Sequence, residues 1–232
     1  MSISKNIKIA LLYTTAKLAN GSRFIRKISS PLWLAPTPTP ERLIVAPYNL
    51  NTPVSITADD IVKGRYYFAG QMVELENQTP FKYQGASDAW KAKLNGFEWL
   101  RHLTASKEPQ TLQHANTLIK QWISAHAKPS NTIAWDLDIT SHRLIAWLFS
   151  SVQIVEQSDS NSYKAWMKTI GTHIKFIRHS CSHTPISIAR LNARIALAYA
   201  SICVSDQESY LRNAAKLLDD ELNAQILSDG GH

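Results

Sequence analysis

The chain has 232 residues, 44% of them hydrophobic, and its seven tryptophans provide for a sizeable core, which excludes a chain that is disordered throughout. Its two cysteines, Cys181 and Cys203, lack the spacing of a disulfide framework or a zinc site. The net charge of +7 attracts polyanions such as nucleic acid, anionic lipid or acidic polysaccharide, although the basic residues are scattered and a solvated basic surface without such a partner is an alternative.

Residues 1–56 are predicted to be an N-terminal helix followed by a proline-rich strap. The apolar run after Lys8 is interrupted at Lys17 and is shorter than the roughly 7–15 residues of a signal peptide. An amphipathic helix is therefore favoured over an export signal, and the location, periplasmic or cytoplasmic, stays open. Residues 31–56 contain six prolines among apolar residues, which indicates an ordered extended segment rather than a flexible linker.

Residues 57–86 carry the signals of a short helix and a β-hairpin. Thr57 and Asp60 have the spacing of a helix N-cap and its first-turn acid, and Gly64 can end that helix with a positive φ. Apolar residues then alternate on both sides of Ala69-Gly70, which predicts one small hairpin.

From Ser87 to the end of the chain the hydrophobic pattern is helical. Apolar residues recur three and four positions apart in successive stretches, and the breaks between them are short. Short connections make successive helices antiparallel neighbours. The sequence predicts an all-α fold, an incomplete α/α toroid of antiparallel helical hairpins over residues 57–232. No stretch has the roughly 18 uncharged apolar residues of a membrane span.

One candidate ligand site combines two indoles with a guanidinium. Arg143 and Trp147 are four residues apart on one predicted helix, and Trp135 lies just before that helix. An indole can stack on the face of a sugar ring while arginine binds a carboxylate with two hydrogen bonds, so the set suits an acidic sugar. The alternative is core packing with an arginine–indole contact.

The histidines do not predict a metal site. His179 and His183 are four residues apart, but the sequence between and after them indicates a helix end and a turn. A polar role in a cleft is the hypothesis for His183. The remaining histidines within helical patterns are interpreted as surface or boundary residues. Motifs for nucleotides, for a metalloprotease or for a nucleophilic serine are absent from the sequence, so we predict neither metal nor cofactor.

Several stretches, taken in order, resemble one family. "ADDIVKGRYYFAGQMVELE" is similar to a segment near the start of bacterial heparinase II/III-like polysaccharide lyases, and "AWKAKLNGFEWLRHL" to the helix that follows it there. "AWDLDITSHRLIAWLFSS" resembles the family helix with the pattern Arg-x-x-x-Trp. "LNAQILSDGGH" resembles the helix and turn that lead into the family's cleft, which makes Asp229 and His232 candidate substrate-binding residues.

The resemblance implies an α/α toroid followed by a large β-sandwich domain, and β-elimination on uronic-acid polysaccharides. In such enzymes a side chain neutralises the C6 carboxylate, a Tyr or His removes the C5 proton, and an acid assists the leaving oxygen.

Two departures from the family pattern limit what the resemblance implies. The family's tyrosine stretch lies just past the turn at which this sequence stops, and the Asn-His pair that several members carry at the start of the helix occupied here by "HTPISIARLNARIAL" is not visible. His183 and Asn192 are not an obvious substitute for that pair. We therefore assign no catalytic residue and expect a missing β-sandwich domain and little activity from this chain alone.

Two other functions compete with a lyase-like role. The first is a non-catalytic helical module that binds a partner protein. The second, nucleic-acid binding, is disfavoured because it requires basic residues concentrated on one face.

Overall fold

A computed structural model describes residues 39–76 and 78–226, and these belong to one compact unit, Thr37–His232. The predicted N-terminal helix, Asp229 and His232 lie outside the described residues. The elements in chain order are α1 (Ser55–Val62), β1 (Arg65–Phe68), β2 (Gln71–Glu74), α2 (Asp88–Gly96), α3 (Leu100–Thr104), α4 (Pro109–His126), α5 (Leu137–Phe149), α6 (Ser151–Glu156), α7 (Ser160–Cys181), α8 (Ile188–Cys203) and α9 (Glu208–Gln225). Two short 3-10 turns cover Pro80–Lys82 and Ile133–Trp135. The prediction of a mostly helical fold with one hairpin is confirmed.

The hairpin forms where the sequence indicated. β1 and β2 are antiparallel, with Arg65 opposite Glu74 and Phe68 opposite Gln71. The connecting residues Ala69 and Gly70 both have positive φ, 50° and 77°, as the tight turns that suit the twist of a hairpin require. Gly64, which ends α1, also has a positive φ of 77°.

Helix α1 begins two residues before the predicted N-cap at Thr57. Its N-cap residue is Val54, whose side chain has no oxygen with which to cap the helix. The Val54 amide instead donates to Nδ1 of His102 in α3, at 2.9 Å. This tertiary contact, which the local sequence does not reveal, holds the residue that precedes the helix.

Helices α5 and α8 are parallel neighbours. Near their N-terminal ends, Asn192 Nδ2 lies 2.8 Å from Asp138 Oδ1. Towards their C-terminal ends, the rings of Phe149 and Tyr199 are 5.1 Å apart. The two helices therefore begin at the same end of the array.

Helix α7 runs in the opposite direction to α5. His173, late in α7, meets Arg143 in the first half of α5, whereas Trp166, early in α7, packs against Trp147. Helix α9 likewise returns along α8, because Glu221 near its C-terminal end pairs with Arg190 near the start of α8. The helices alternate in direction, as antiparallel hairpins of an α/α toroid require.

Side-chain caps fix several helix starts. The Ser87 hydroxyl accepts from the Trp90 amide before α2, and the Asp136 carboxylate accepts from the Asp138 amide before α5. Asp159 accepts from the amides of Asn161 and Ser162 before α7, both at 2.9 Å. These residue types are the preferred N-caps, which is why the sequence signals at these starts are strong.

The described part of the proline-rich strap is extended and pairs with the connection between α8 and α9. Leu43 and Val204 form an antiparallel bridge, and the Ile44 amide donates to the Cys203 carbonyl at 2.8 Å. The Ser205 hydroxyl accepts from the Arg42 amide at 3.1 Å. Ile44 is still 49% exposed, so the strap is anchored through its backbone rather than by burial of that side chain.

Candidate functional site

The three residues predicted to contact an acidic sugar, Trp135, Arg143 and Trp147, all lie in the core. Arg143 and Trp147 are 0% exposed and Trp135 is 2% exposed. The imidazole of His173 brings the three together, since its ring centre lies 5.1 Å from Trp135 and 5.2 Å from Trp147. The guanidinium carbon of Arg143 lies 4.0 Å from the ring centre of Trp122 and 5.6 Å from that of Trp135.

The Arg143 guanidinium is satisfied by neutral groups. Nη1 donates to the Asn95 carbonyl at 2.8 Å, Nη2 to the Thr140 hydroxyl at 3.3 Å, and Nε to Nε2 of His173 at 3.2 Å. No carboxylate within residues 39–76 and 78–226 forms an ion pair with it. Burial lowers the pKa of Arg143, and burial and the Arg143 charge lower the pKa of His173. An arginine keeps its charge in proteins, so these three acceptors and the indole faces together stabilise the buried cation.

This burial decides what the three residues can do. A bound sugar contacts only accessible atoms, and the side chains of Trp135, Arg143 and Trp147 offer it almost none. The structure places these three residues as the alternative interpretation expects, in core packing with an arginine–indole contact.

The sequence interpretation missed the histidine of this cluster. His173 was interpreted as a surface or boundary residue, but it is 0% exposed. The signal was present, because His173 is three residues after Ile170 and four before Ile177 on the apolar face of α7. His102, interpreted in the same way, is 8% exposed.

Polar residues, some accessible and some buried, gather where α5 and α8 begin, together with the C-terminal turns of α7 and α9 and the residues after α2. We call this region the α5/α8 end. It contains two polar clusters: an acid–histidine cluster formed by Glu98, Asp138, His142 and Asn192, and an arginine corner formed by Arg190, Arg194, Glu221 and Gln225.

The acid–histidine cluster is half-exposed and closely connected. His142 Nδ1 lies 3.4 Å from Glu98 Oε1, and His142 Nε2 lies 3.7 Å from Asp138 Oδ1. The Asn192 amide lies 2.8 Å from Asp138 and 3.3 Å from His142 Nε2. The side chains of His142, Glu98 and Asp138 are 34%, 38% and 39% exposed, so a ligand can reach them.

The arginine corner joins α8 to α9. Glu221 is 3% exposed and lies 2.8 Å from Arg190 and 3.9 Å from Arg194, and it also hydrogen-bonds Gln225. Two guanidinium groups face one carboxylate, which leaves one net positive charge at the corner. Such a corner suits a carboxylate or a sulfate.

His183 lies on the turn between α7 and α8, beside the arginine corner. It is exposed, and its Nδ1 is 2.9 Å from the His179 carbonyl. The next residue, Thr184, accepts from Arg190 Nη1 at 3.2 Å, which connects this turn to the corner. Of the predicted site residues, His183 is the described one that a ligand can reach.

Metal ligation has no support in the part of the chain that is described. Within it, no group of three or more His, Cys, Asp or Glu side chains is placed to hold a metal ion. Burial raises the pKa of both cysteine thiols, Cys181 and Cys203, which keeps them protonated. None of the described helices is long and apolar enough to cross a membrane.

A separate crevice of about 520 Å³ lies between α1, the hairpin and α4. Tyr66 and Leu118 contribute to its apolar part, and Lys63, His114 and Gln121 to its polar part. Burial lowers the pKa of His114, against a hydrogen bond to the Ile61 backbone that raises it. This crevice is a concave surface against which binding at the α5/α8 end can be compared.

Two solved structures resemble this fold. One is a heparinase III solved with methylated lysines, with a TM-score of 0.62 and 14% identity over 98% of this chain and 39% of that one. The other is a mutant of the heparan sulfate lyase HepC from Pedobacter heparinus, with a TM-score of 0.58 and 11% identity over 99% of this chain and 38% of that one. No family model and no curated protein matches the sequence. The chain thus spans about two-fifths of the length of either structure and shares the fold of that part, as the sequence resemblance implied.

Proposed function

We propose that this chain is the N-terminal helical part of a heparinase II/III-like protein and forms one wall of a groove for a uronic-acid polysaccharide. The observation that carries the proposal is the likeness of nearly the whole chain to two lyase structures, of which it spans less than two-fifths. The reaction class that this implies is β-elimination at a uronic acid.

The arginine corner supplies the charge that such a substrate needs. The side chains of Arg190 and Arg194 remain 21% and 16% exposed beside the buried Glu221. A guanidinium group can bind a carboxylate with two parallel hydrogen bonds, and a corner with net positive charge favours the ionised form of the ligand. We assign Arg194 to the sugar carboxylate, because Arg190 is engaged with Glu221 and the Thr184 carbonyl.

The same proposal expects little lyase activity from the 232 residues alone. The family resemblance places the residues for proton removal outside the stretches that this chain matches, and places others in a β-sandwich domain. Incubation with heparan sulfate or alginate should yield little unsaturated uronate by ultraviolet absorbance. Rapid product formation would show that the catalytic groups are within this chain.

Binding can be tested separately from turnover. Arg194→Gln should weaken heparan sulfate binding about tenfold, as loss of a charged hydrogen bond does. The matched control is Lys168→Gln on α7, which removes the same charge from an exposed position about 17 Å along the helix from His179. Equal losses in both variants, or equal binding to polyphosphate, would show nonspecific attraction to a basic chain and would overturn the proposal.

A non-catalytic interaction module is the second candidate, and the outer surface of α9 favours it. Tyr210, Leu211 and Leu222 are 43%, 40% and 38% exposed on this one helix. A chain that binds no uronate polymer, while Leu211→Asp and Leu222→Asp abolish association with a partner protein, would support this candidate instead.

A further inference from the structure

His142 is an accessible histidine next to the buried Arg143. Its surroundings come from three places: the residues after α2, the first turn of α5 and the parallel helix α8. Glu98, which follows α2, lies on the Nδ1 side of its ring. Asp138, one turn earlier on α5, and Asn192 of α8 lie on the Nε2 side. These are the charged and polar groups that the surrounding elements place against the imidazole.

The neighbours of His142 determine which ring nitrogen carries the proton. An amide nitrogen such as Asn192 Nδ2 only donates hydrogen bonds, and at 3.3 Å it faces His142 Nε2. With Asn192 as the donor, Nε2 presents its lone pair and the proton belongs on Nδ1. A carboxylate only accepts, and Glu98 Oε1 lies 3.4 Å from Nδ1. The nearest group on each side of the ring thus favours the same tautomer, since the Asp138 carboxylate on the Nε2 side lies farther away, at 3.7 Å.

Glu98 is held as a carboxylate for this role. Burial acts to raise its pKa, but the hydrogen bond from Lys93, the charge of His142 when it is protonated, and the charges of Lys93 and Arg101 lower the pKa overall. Lys93 Nζ binds the other carboxylate oxygen, Oε2, at 3.0 Å, which leaves Oε1 for the imidazole. The carboxylate is therefore ionised and oriented before any ligand arrives.

Asn192 has a second partner, so it can release His142. Its amide group donates to Asp138 at 2.8 Å, a shorter contact than the 3.3 Å to His142. A ligand hydroxyl can replace the longer contact without leaving the Asn192 amide unpaired. His142, whose side chain is 34% exposed, can then offer Nε2 to the ligand as a hydrogen-bond acceptor.

We propose that His142 Nε2 accepts a hydrogen bond from a hydroxyl group of the bound sugar chain, and that Glu98 is the positioning residue that fixes this tautomer. The inference rests on the proposed function for the identity of the ligand, but not for the tautomer. It assigns a binding role to a residue that the sequence interpretation had left as a surface histidine.

The tautomer is tested in the free chain by long-range ¹⁵N–¹H NMR of the histidine rings. The wild-type chain should show His142 with the proton on Nδ1. Glu98→Ala should return the proton to Nε2, the preference of free histidine, whereas Asp138→Asn, which removes a carboxylate from the same cluster, should leave it on Nδ1. A proton on Nε2 in the wild-type chain overturns the inference, whatever the chain binds.

The ligand role is tested with size-defined heparan sulfate and alginate oligosaccharides. His142→Leu should weaken binding about threefold to tenfold, the range for one hydrogen bond with partial desolvation, and His142→Gln, which keeps an acceptor oxygen, should recover part of the loss. Unchanged affinity in His142→Leu overturns this inference and leaves the proposed function standing. No binding by the wild-type chain overturns the proposed function together with the ligand assigned to His142.

Discussion

Two adjacent residues of α5, His142 and Arg143, have opposite environments. Arg143 is 0% exposed and packs under Trp122 in an aromatic interior, whereas the side chain of His142 is 34% exposed at the α5/α8 end. On a helix, successive residues point about 100° apart, so one step along the chain separates a core residue from a surface residue. A polar residue that matches a family pattern can therefore be structural, while its unmatched neighbour is the one accessible to a ligand.

The interior and the α5/α8 end also differ in how their charges are compensated. Arg143 has indole faces and neutral acceptors around it, which is a stable solution only when every partner is in place. At the α5/α8 end, carboxylates face the cations and solvent screens part of their interaction. The interior should therefore control stability, and the end should control binding.

The largest expected effect on stability distinguishes Arg143 from its neighbour His142. Arg143→Ala removes a large buried side chain and leaves the Asn95 carbonyl and the Thr140 hydroxyl without their donor, so we expect a loss of about 3–5 kcal/mol in the free energy of unfolding. His142→Ala should change it by less than about 0.5 kcal/mol, as surface substitutions usually do. Urea denaturation followed by tryptophan fluorescence measures both, and similar losses would contradict the division of roles.

Glu221 adds a test to this comparison, because it is a buried charge at the α5/α8 end. Glu221→Ala leaves Arg190 without its carboxylate and should lower the free energy of unfolding by about 1–3 kcal/mol. Asp220→Asn changes the neighbouring exposed acid and should have almost no effect. Hydrogen exchange should localise the Glu221 effect to α9, and an equal effect of the two variants would show that the ion pair does not anchor this helix.

The junction between the strap and α3 should give the chain a pH-dependent stability. Burial and the nearby Arg101 charge lower the pKa of His102 to about 4, below the unfolded value of about 6.5, and Nδ1 accepts from the Val54 amide. Between these values the unfolded chain binds the proton that the folded chain excludes. The free energy of unfolding should therefore fall as the pH is lowered from about 6.5 to about 4, by up to about 1.4 kcal/mol per pH unit for this proton.

His102→Asn isolates this contribution, since asparagine can accept from the Val54 amide but does not titrate. The variant should have a smaller pH slope than the wild-type chain in denaturation curves measured over the same pH range. Parallel slopes would show that His102 is not the group responsible.

The smallest effect concerns the start of α7. Asp159→Ala removes a cap that accepts from two backbone amides, and its pKa is lowered by hydrogen bonds from the Ser162 side chain and amide. We expect a small loss in the free energy of unfolding, because two amides at the helix start lose their acceptor. The exposed Asp219→Ala serves as control, and indistinguishable unfolding of the two variants would contradict a capping role.

The sequence predicted the helices, their antiparallel order and the hairpin, because these depend on local periodicity, caps and turn residues. The helix break at Phe97 was not foreseen. The stripe from Trp90 to Leu100 continues without interruption, yet Phe97 adopts a φ of 60° and separates α2 from α3. The sequence also could not decide whether Arg143 is buried or contacts a ligand, because the burial of its guanidinium depends on the packing of α7 against α5.

The site was less predictable than the fold. The acid–histidine cluster joins Glu98, Asp138 and His142 to Asn192, which is 50 positions beyond His142 in the sequence. These residues meet because the parallel helices α5 and α8 begin at the same end of the array. No spacing pattern in the sequence reveals such a contact. His183 is exposed, and its polar role in a cleft remains a prediction.

The central claim is that the α5/α8 end binds the sugar chain, and NMR titration of the 232-residue chain with heparan sulfate oligosaccharides tests it most directly. The account predicts saturable shifts concentrated at His142, Asn192 and Arg194, with the residues of the crevice around His114 unchanged. Shifts centred on that crevice, or spread evenly over the basic surface, would contradict it.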